Sequence, residues 1–120
     1  MSPWLLLAAL AGGVGAGLRY VVDRLLTPAR GMRFPWGILV VNVSGSFALG
    51  VITGLGAAIA PELSLVLGLG LLGGYTTFST VSVETVLLAQ RGRRAAATVN
   101  LAGTLVLSLL AAALGVLVTS

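Results

Sequence analysis

Four long apolar segments, separated by short polar breaks, constrain this chain more than any other feature. They run from Pro3 to about Leu26, Phe34 to about Ile59, Leu63 to about Gln90, and Ala95 to Val118. Each exceeds the ~20 residues that an α-helix needs to cross a ~30 Å hydrocarbon layer. Because only 8% of the residues are charged, the chain cannot cover a globular surface with polar groups. The sequence therefore predicts an all-α integral membrane protein, with residues 1–120 forming a single four-span domain in the bilayer.

The basic residues all fall on one side of the expected helical bundle. The chain has seven Arg and Lys residues in total, all of them Arg, and all lie on or toward the side of the first and third loops. Because such residues concentrate on the cytoplasmic side, we expect a multi-pass protein of the cell membrane with both termini outside. A basic cluster can also bind nucleic acid, but these charges flank the membrane, so we expect no nucleic-acid partner. They are Arg19, Arg24, Arg30, Arg33, Arg91, Arg93 and Arg94.

A stretch rich in glycine and hydroxyl residues, Gly70–Glu84, interrupts the third apolar segment. Glycines inside a helix cost roughly 1 kcal/mol each relative to Ala, and hydroxyl side chains offer the backbone an alternative to the helical hydrogen bonds. A membrane helix accepts such a break only where the freed backbone groups face protein, water or an ion. Close helix packing explains the glycines, but not five hydroxyl residues between Thr76 and Ser82 followed by a carboxylate. We therefore expect a functional break in the third helix.

The second and fourth segments carry polar side chains at membrane depth. Asn42 lies about eight residues into the second segment, where its amide either bridges two helices or donates to an anion. Asn100, Thr104 and Ser108 follow one another at a spacing of four residues, so they share one helix face and predict one wall of a polar track. The small residues after Asn42 are expected to serve helix packing. They are Gly45, Ser46, Gly50 and Gly54.

Two charged residues lie deeper than ordinary loop charges, while the equipment for catalysis is poor. Charged residues at this depth are functional candidates by default, and here they are Arg19 and Glu84. A structural role has equal weight: an ion pair, or a side chain that extends to the membrane interface. The chain has no His and no Cys, and its three acidic residues show no ligand spacing. We therefore expect no catalytic residues and no enzyme.

With these residues assembled, the chain resembles the small four-span CrcB/Fluc family of fluoride channels over nearly its whole length. Four motifs in the same order carry the resemblance, and the third is the most specific. They are GGVGAGLRY (Gly12–Tyr20), GILVVNVSGSF (Gly37–Phe47), GGYTTFSTVSVE (Gly73–Glu84) and NLAGT (Asn100–Thr104).

The resemblance implies a dimer of antiparallel subunits with two narrow pores along its interface, through which fluoride leaves the cytoplasm passively. It also implies a central structural sodium ion held by main-chain carbonyls of the broken third helix, which here match Gly73 and Thr76. The resemblance further implies that the ring edges of two aromatic residues line each pore, since a ring edge carries the positive end of the quadrupole. The matching pore residues are Phe78, Asn42, Ser79 and Thr80, with Asn100, Thr104 and Ser108 on the polar track.

Two departures from the family pattern and the charge bias leave alternatives open. Val81 stands where a second Phe is usual, and Ile38 stands where Thr is usual. Antiparallel pairing of identical chains requires insertion both ways, which seven Arg residues on one side oppose. We therefore expect a heterodimer with a related chain of opposite bias, with a non-conducting partner subunit as the alternative function. A small multidrug-type exporter is disfavoured, because residues 4–18 contain no carboxylate.

Overall fold

The computed structural model describes residues 2–27 and 34–120, and the regular structure within them is helical throughout. Four stretches of this part of the chain are long and apolar enough to cross a membrane, which confirms the predicted all-α, four-span architecture. The helices are α1 (Pro3–Leu26), α2 (Trp36–Leu55) with a 3-10 turn (Gly56–Ala58), α3 (Pro61–Ser64), a π-helix (Leu65–Leu72), α4 (Gly73–Tyr75), α5 (Phe78–Gln90) and α6 (Arg94–Thr119).

α1 has a capped start, and its C-terminal end is hydrogen-bonded to the start of α2. α1 begins with the Trp4 N–H donating to the Ser2 hydroxyl at 3.2 Å, and Pro3 occupies the first turn, where its missing N–H costs nothing. It ends at Thr27, whose hydroxyl oxygen accepts a hydrogen bond from the Gly37 N–H at 2.8 Å and so joins the start of α2 to the end of α1. The connection contains Arg30 and Arg33 of the orientation prediction, which lie outside the described residues.

The backbone of α1 lies directly against the backbone of the third span. A Cβ atom added to Gly70 would lie 2.6 Å from the Ala8 carbonyl oxygen, and one added to Gly74 would lie 2.7 Å from the Gly12 carbonyl carbon. The two contacts are one helical turn apart on both sides. Small residues permit this approach, and it holds the π-helix and α4 in one position against α1.

α2 and α6 pack against each other through small residues in the same way. A Cβ atom on Gly50 would lie 2.9 Å from the Ala112 carbonyl carbon, and one on Gly54 would lie 2.7 Å from the Val116 carbonyl oxygen. Near the ends of both helices the Thr119 hydroxyl donates to the Val51 carbonyl at 3.1 Å. The prediction that Gly50 and Gly54 serve helix packing is confirmed.

The third span consists of several short pieces. After the π-helix and α4, Thr76 and Thr77 have extended backbone, with ψ of 155° at Thr76 and φ of −152° at Thr77. α5 then starts with the Thr77 hydroxyl accepting from the Thr80 N–H at 3.1 Å. The two extended residues lie within the glycine–hydroxyl stretch of the sequence, whereas no local sequence pattern indicates the π-helix before them. π-helices are rare in proteins, and those that occur are often found at functional sites.

Candidate functional site

Asn42 forms a reciprocal pair of hydrogen bonds with the main chain of Thr77. Its amide nitrogen donates to the Thr77 carbonyl at 2.9 Å, and its amide oxygen accepts from the Thr77 N–H at 2.8 Å. The side chain is buried, and its two bonds replace the helical partners that the extended residues have given up. Since an amide nitrogen carries two hydrogens, one N–H of Asn42 is left for another acceptor.

Two further positions on α2 contact the residues just before Thr77. The Ser44 hydroxyl lies 3.1 Å from the Tyr75 hydroxyl. A Cβ atom on Gly45 would lie 3.0 Å from the Tyr75 ring and would also overlap the Thr76 methyl group. Residues 42–45 of α2 therefore face residues 75–77 of the third span along the whole extended segment.

A cavity of about 240 Å³ lies beside this contact and is bounded by α2, the extended residues, α5 and α6. We call it the polar groove. It brings together four residues that the sequence assigned to the pore, together with Thr76 of the expected sodium site. Its lining consists of Asn42, Ser46, Thr76, Thr77, Phe78, Val81, Thr104, Leu105 and Ser108.

The polar face of α6 presents three buried oxygen atoms that have no hydrogen-bond partner among the described residues. They are Asn100 Oδ1, Thr104 Oγ1 and Ser108 Oγ. Asn100 is completely buried, and its nitrogen donates to the Thr85 hydroxyl at 2.9 Å. Buried polar atoms nearly always have a partner, because leaving one unpaired costs ~1–3 kcal/mol. Three unpaired atoms in one row favour a partner such as water, an ion or another chain.

The carbonyl group of Thr76 is also without a hydrogen bond within the described part of the chain. Both the N–H and the hydroxyl of Thr76 donate to the Leu72 carbonyl, at 3.0 and 2.9 Å. Its side chain is thus turned back onto the preceding turn. Gly73 is exposed. Residues 2–27 and 34–120 contain no group of three or more His, Cys, Asp or Glu side chains that could hold a metal ion.

The remaining predicted residues do not line the polar groove. Ser79 is exposed at the start of α5, and Thr80 uses its N–H in the cap of that helix. Arg19 is half-buried on α1, and Glu84 is buried on α5. Nothing in a single chain tests their assigned roles, which stay predictions.

Several residues that the structure places at the site were not predicted from the sequence as site residues. Ser46 was assigned to helix packing, but it lies one turn after Asn42 and lines the polar groove, as the spacing argument used for α6 could have indicated. Thr77 is a typical helix N-cap residue ahead of α5. Tyr75 and Ser44 give no local signal, because their contact joins residues far apart in the sequence.

Comparison with known proteins gives one family and a set of related chains. Residues 6–116 match the family model described as CrcB-like protein, Camphor Resistance (CrcB). The chain is 49% identical to a protein of Shewanella baltica (strain OS185) named fluoride-specific ion channel FluC, over 92% of this chain and 91% of that one. It is 47% identical to fluoride-specific ion channel FluC 1 of Leifsonia xyli subsp. xyli, over 96% of this chain and 86% of that one.

Proposed function

This chain belongs to the CrcB family, and on that premise we propose that it is a fluoride-specific ion channel that lowers cytoplasmic fluoride by passive export. Membership of the family confirms the resemblance seen in the sequence. The names of the related proteins are those of channels, in agreement with the expectation that the chain is not an enzyme. The observation that carries the proposal is the polar groove, with two unpaired buried hydroxyl groups at its wall.

The chemistry of the polar groove suits a small anion that has lost its water. The spare N–H of Asn42 and the hydroxyl groups of Thr104 and Ser108 are donors, and a dry pore must replace an ion's hydration shell with such groups. The edge of the Phe78 ring adds a positive surface. These groups come from three helices, which supports a continuous path along the groove and not a single binding point.

We place the pore at an interface with a second, antiparallel chain. Phe78 is 67% exposed. The residues of this chain line one side of the groove and leave its other side open. Polar side chains and free carbonyl groups at membrane depth require protein or water against them. A second chain over the groove meets that requirement and encloses the path.

The proposed structural sodium ion fits the same arrangement. The free carbonyl of Thr76 and the exposed Gly73 are the main-chain oxygens that would hold it, and bound there it would lower the cost of an anion nearby. Two oxygens from one chain make an incomplete shell. A second chain at the interface would supply the others.

For the second chain we propose a related protein of opposite charge bias rather than a second copy. Five of the seven Arg residues lie in the described part of the chain, and all seven belong to one side of the predicted topology. Val81 is buried at the groove, so this chain provides only Phe78 as an aromatic lining residue. The alternative role that these observations favour is a non-conducting subunit that completes a partner's pore.

Fluoride efflux from liposomes tests the proposal. The chain is reconstituted alone and together with a related chain of opposite Arg bias, and chloride efflux from the same liposomes is the control. We expect fluoride efflux without chloride efflux, and only with both chains. Rapid efflux from this chain alone would support the homodimer, and the absence of fluoride efflux in both preparations would refute the channel. Reporter fusions at the C-terminus should report an outward location only.

A further inference from the structure

The hydroxyl groups of Tyr75 and Ser44 lie 3.1 Å apart, and either of them can donate the hydrogen bond between them. The Ser44 hydroxyl donates to the Val41 carbonyl at 3.2 Å, which uses its only hydrogen. In that arrangement its oxygen accepts from the Tyr75 hydroxyl, and in the other arrangement Ser44 donates to Tyr75 instead. The bond joins α2 to the last residue of α4, directly before the extended segment.

Thr76 therefore lies between two residues that are each bound to α2. Tyr75 is attached through its hydroxyl group, and Thr77 is attached through both of its main-chain polar groups. The backbone at Thr76 is extended, and its carbonyl group accepts no hydrogen bond from the described residues. With no helical hydrogen bond to orient that carbonyl, its direction depends on the two flanking attachments.

We propose that the Tyr75 hydroxyl is a positioning group that, through Ser44, orients the Thr76 carbonyl. That the carbonyl serves a cation rests on the proposed function, whereas the attachment of the extended segment to α2 does not. The ring alone cannot provide this attachment. The space above Gly45 accommodates the ring of Phe as well as that of Tyr, so packing would be served by either residue. Only the hydroxyl adds a directional bond.

The free-energy cost of placing the Tyr75 hydroxyl in the membrane supports a specific role for that group. A hydroxyl group in an apolar environment is unfavourable by ~1–3 kcal/mol in proteins unless it is hydrogen-bonded. Tyr75 is only half-buried and Ser44 is exposed, so the pair stands at the surface of the bundle and not in its packed interior. The pair thus adds nothing to the core, and its structural effect falls on the segment that it attaches.

The test compares Tyr75→Phe, Ser44→Ala and the double variant with the wild type. Ser82→Ala is the control, because among the described residues the Ser82 hydroxyl bonds only to the Phe78 carbonyl within α5, at 3.0 Å. The first measurement is hydrogen exchange of the amides in residues 73–80 of the reconstituted complex. The second is the sodium concentration that gives half-maximal fluoride efflux.

We expect both single variants to speed exchange in residues 73–80 about fivefold and to raise the half-maximal sodium concentration by a similar factor, the size of one hydrogen bond. The double variant should be no worse than either single one, and the control should match the wild type. Unchanged exchange in both single variants overturns the proposal, as do additive effects in the double variant. Faster exchange with unchanged sodium dependence overturns the positioning role. A wild type that passes no fluoride refutes the proposed function instead, and the exchange measurement still decides the attachment.

Discussion

Replacing Thr104 by Val removes a buried hydroxyl that has no hydrogen-bond partner among the described residues, while keeping the size and branching of the side chain. In most buried positions this exchange destabilises a protein, because it leaves the former partner unsatisfied. Here no partner among residues 2–27 and 34–120 is left behind. The same substitution should therefore keep or raise the free energy of unfolding while it lowers fluoride efflux.

The size of both effects follows from the fact that the Thr104 hydroxyl makes no hydrogen bond to the described residues. An unpaired buried hydroxyl costs ~1–3 kcal/mol, so Thr104→Val should leave the free energy of unfolding unchanged or raise it by up to that amount. A hydrogen bond to a charged group contributes ~1.5–3 kcal/mol, so loss of a donor to the passing anion should lower fluoride efflux by about 10- to 100-fold.

The assay pairs thermal unfolding with fluoride efflux from liposomes on the same preparations. Thr98→Val is the matched control on the same helix, because Thr98 is exposed and, within the described part of the chain, its hydroxyl donates only to the Arg94 carbonyl at 3.0 Å. The control should retain wild-type efflux. If Thr104→Val lowers the free energy of unfolding by more than ~1 kcal/mol and leaves efflux unchanged, the hydroxyl has a structural partner and the reasoning fails.

Three further substitutions address the extended segment and the packing of α1. Thr76→Val should fold and keep its sodium dependence within about twofold, because the carbonyl remains and only a bond of ~1 kcal/mol to the preceding turn is lost. Loss of sodium dependence in folded protein would contradict the main-chain site. Asn42→Asp should lower fluoride efflux at least about tenfold, since a carboxylate still accepts from the Thr77 N–H but donates neither to the carbonyl nor to an anion. Unchanged efflux would assign Asn42 to packing. Gly74→Ala should lower the free energy of unfolding by ~1–3 kcal/mol, whereas Gly13→Ala, with nothing within 4 Å, should not lower it; equal effects would argue against the backbone contact.

The spans and the polar face of α6 could be predicted because they depend on local pattern. An apolar run of sufficient length specifies a membrane helix, and a four-residue spacing places Thr104 and Ser108 on one face. The density of glycine and hydroxyl residues predicted an interruption somewhere within Gly70–Glu84, and the extended residues Thr76 and Thr77 lie inside that stretch. In each case the physical cause lies within one helix.

The contacts that define the site could not be predicted, because they join residues far apart in the sequence. Asn42 and Thr77 are 35 residues apart, and Ser44 and Tyr75 are 31 apart. Their pairing depends on the register between α2 and the third span, which no local pattern specifies. The π-helix could not be predicted either, since its Leu, Val and Gly residues would equally suit an ordinary α-helix in a membrane. Ser79 remains a prediction, because a single chain leaves it outside the groove.

During synthesis α2 reaches the bilayer first, so the Asn42 amide enters it 35 residues ahead of the peptide group to which it binds. An unpaired amide in hydrocarbon costs several kcal/mol, and the peptide group of Thr77 carries the same penalty when the third span enters alone. The hydrogen bonds between the Asn42 amide and the Thr77 peptide group remove both penalties. The second and third spans should therefore leave the translocon together as a hairpin, with the interruption in the later span serving as the element that completes insertion of the earlier one.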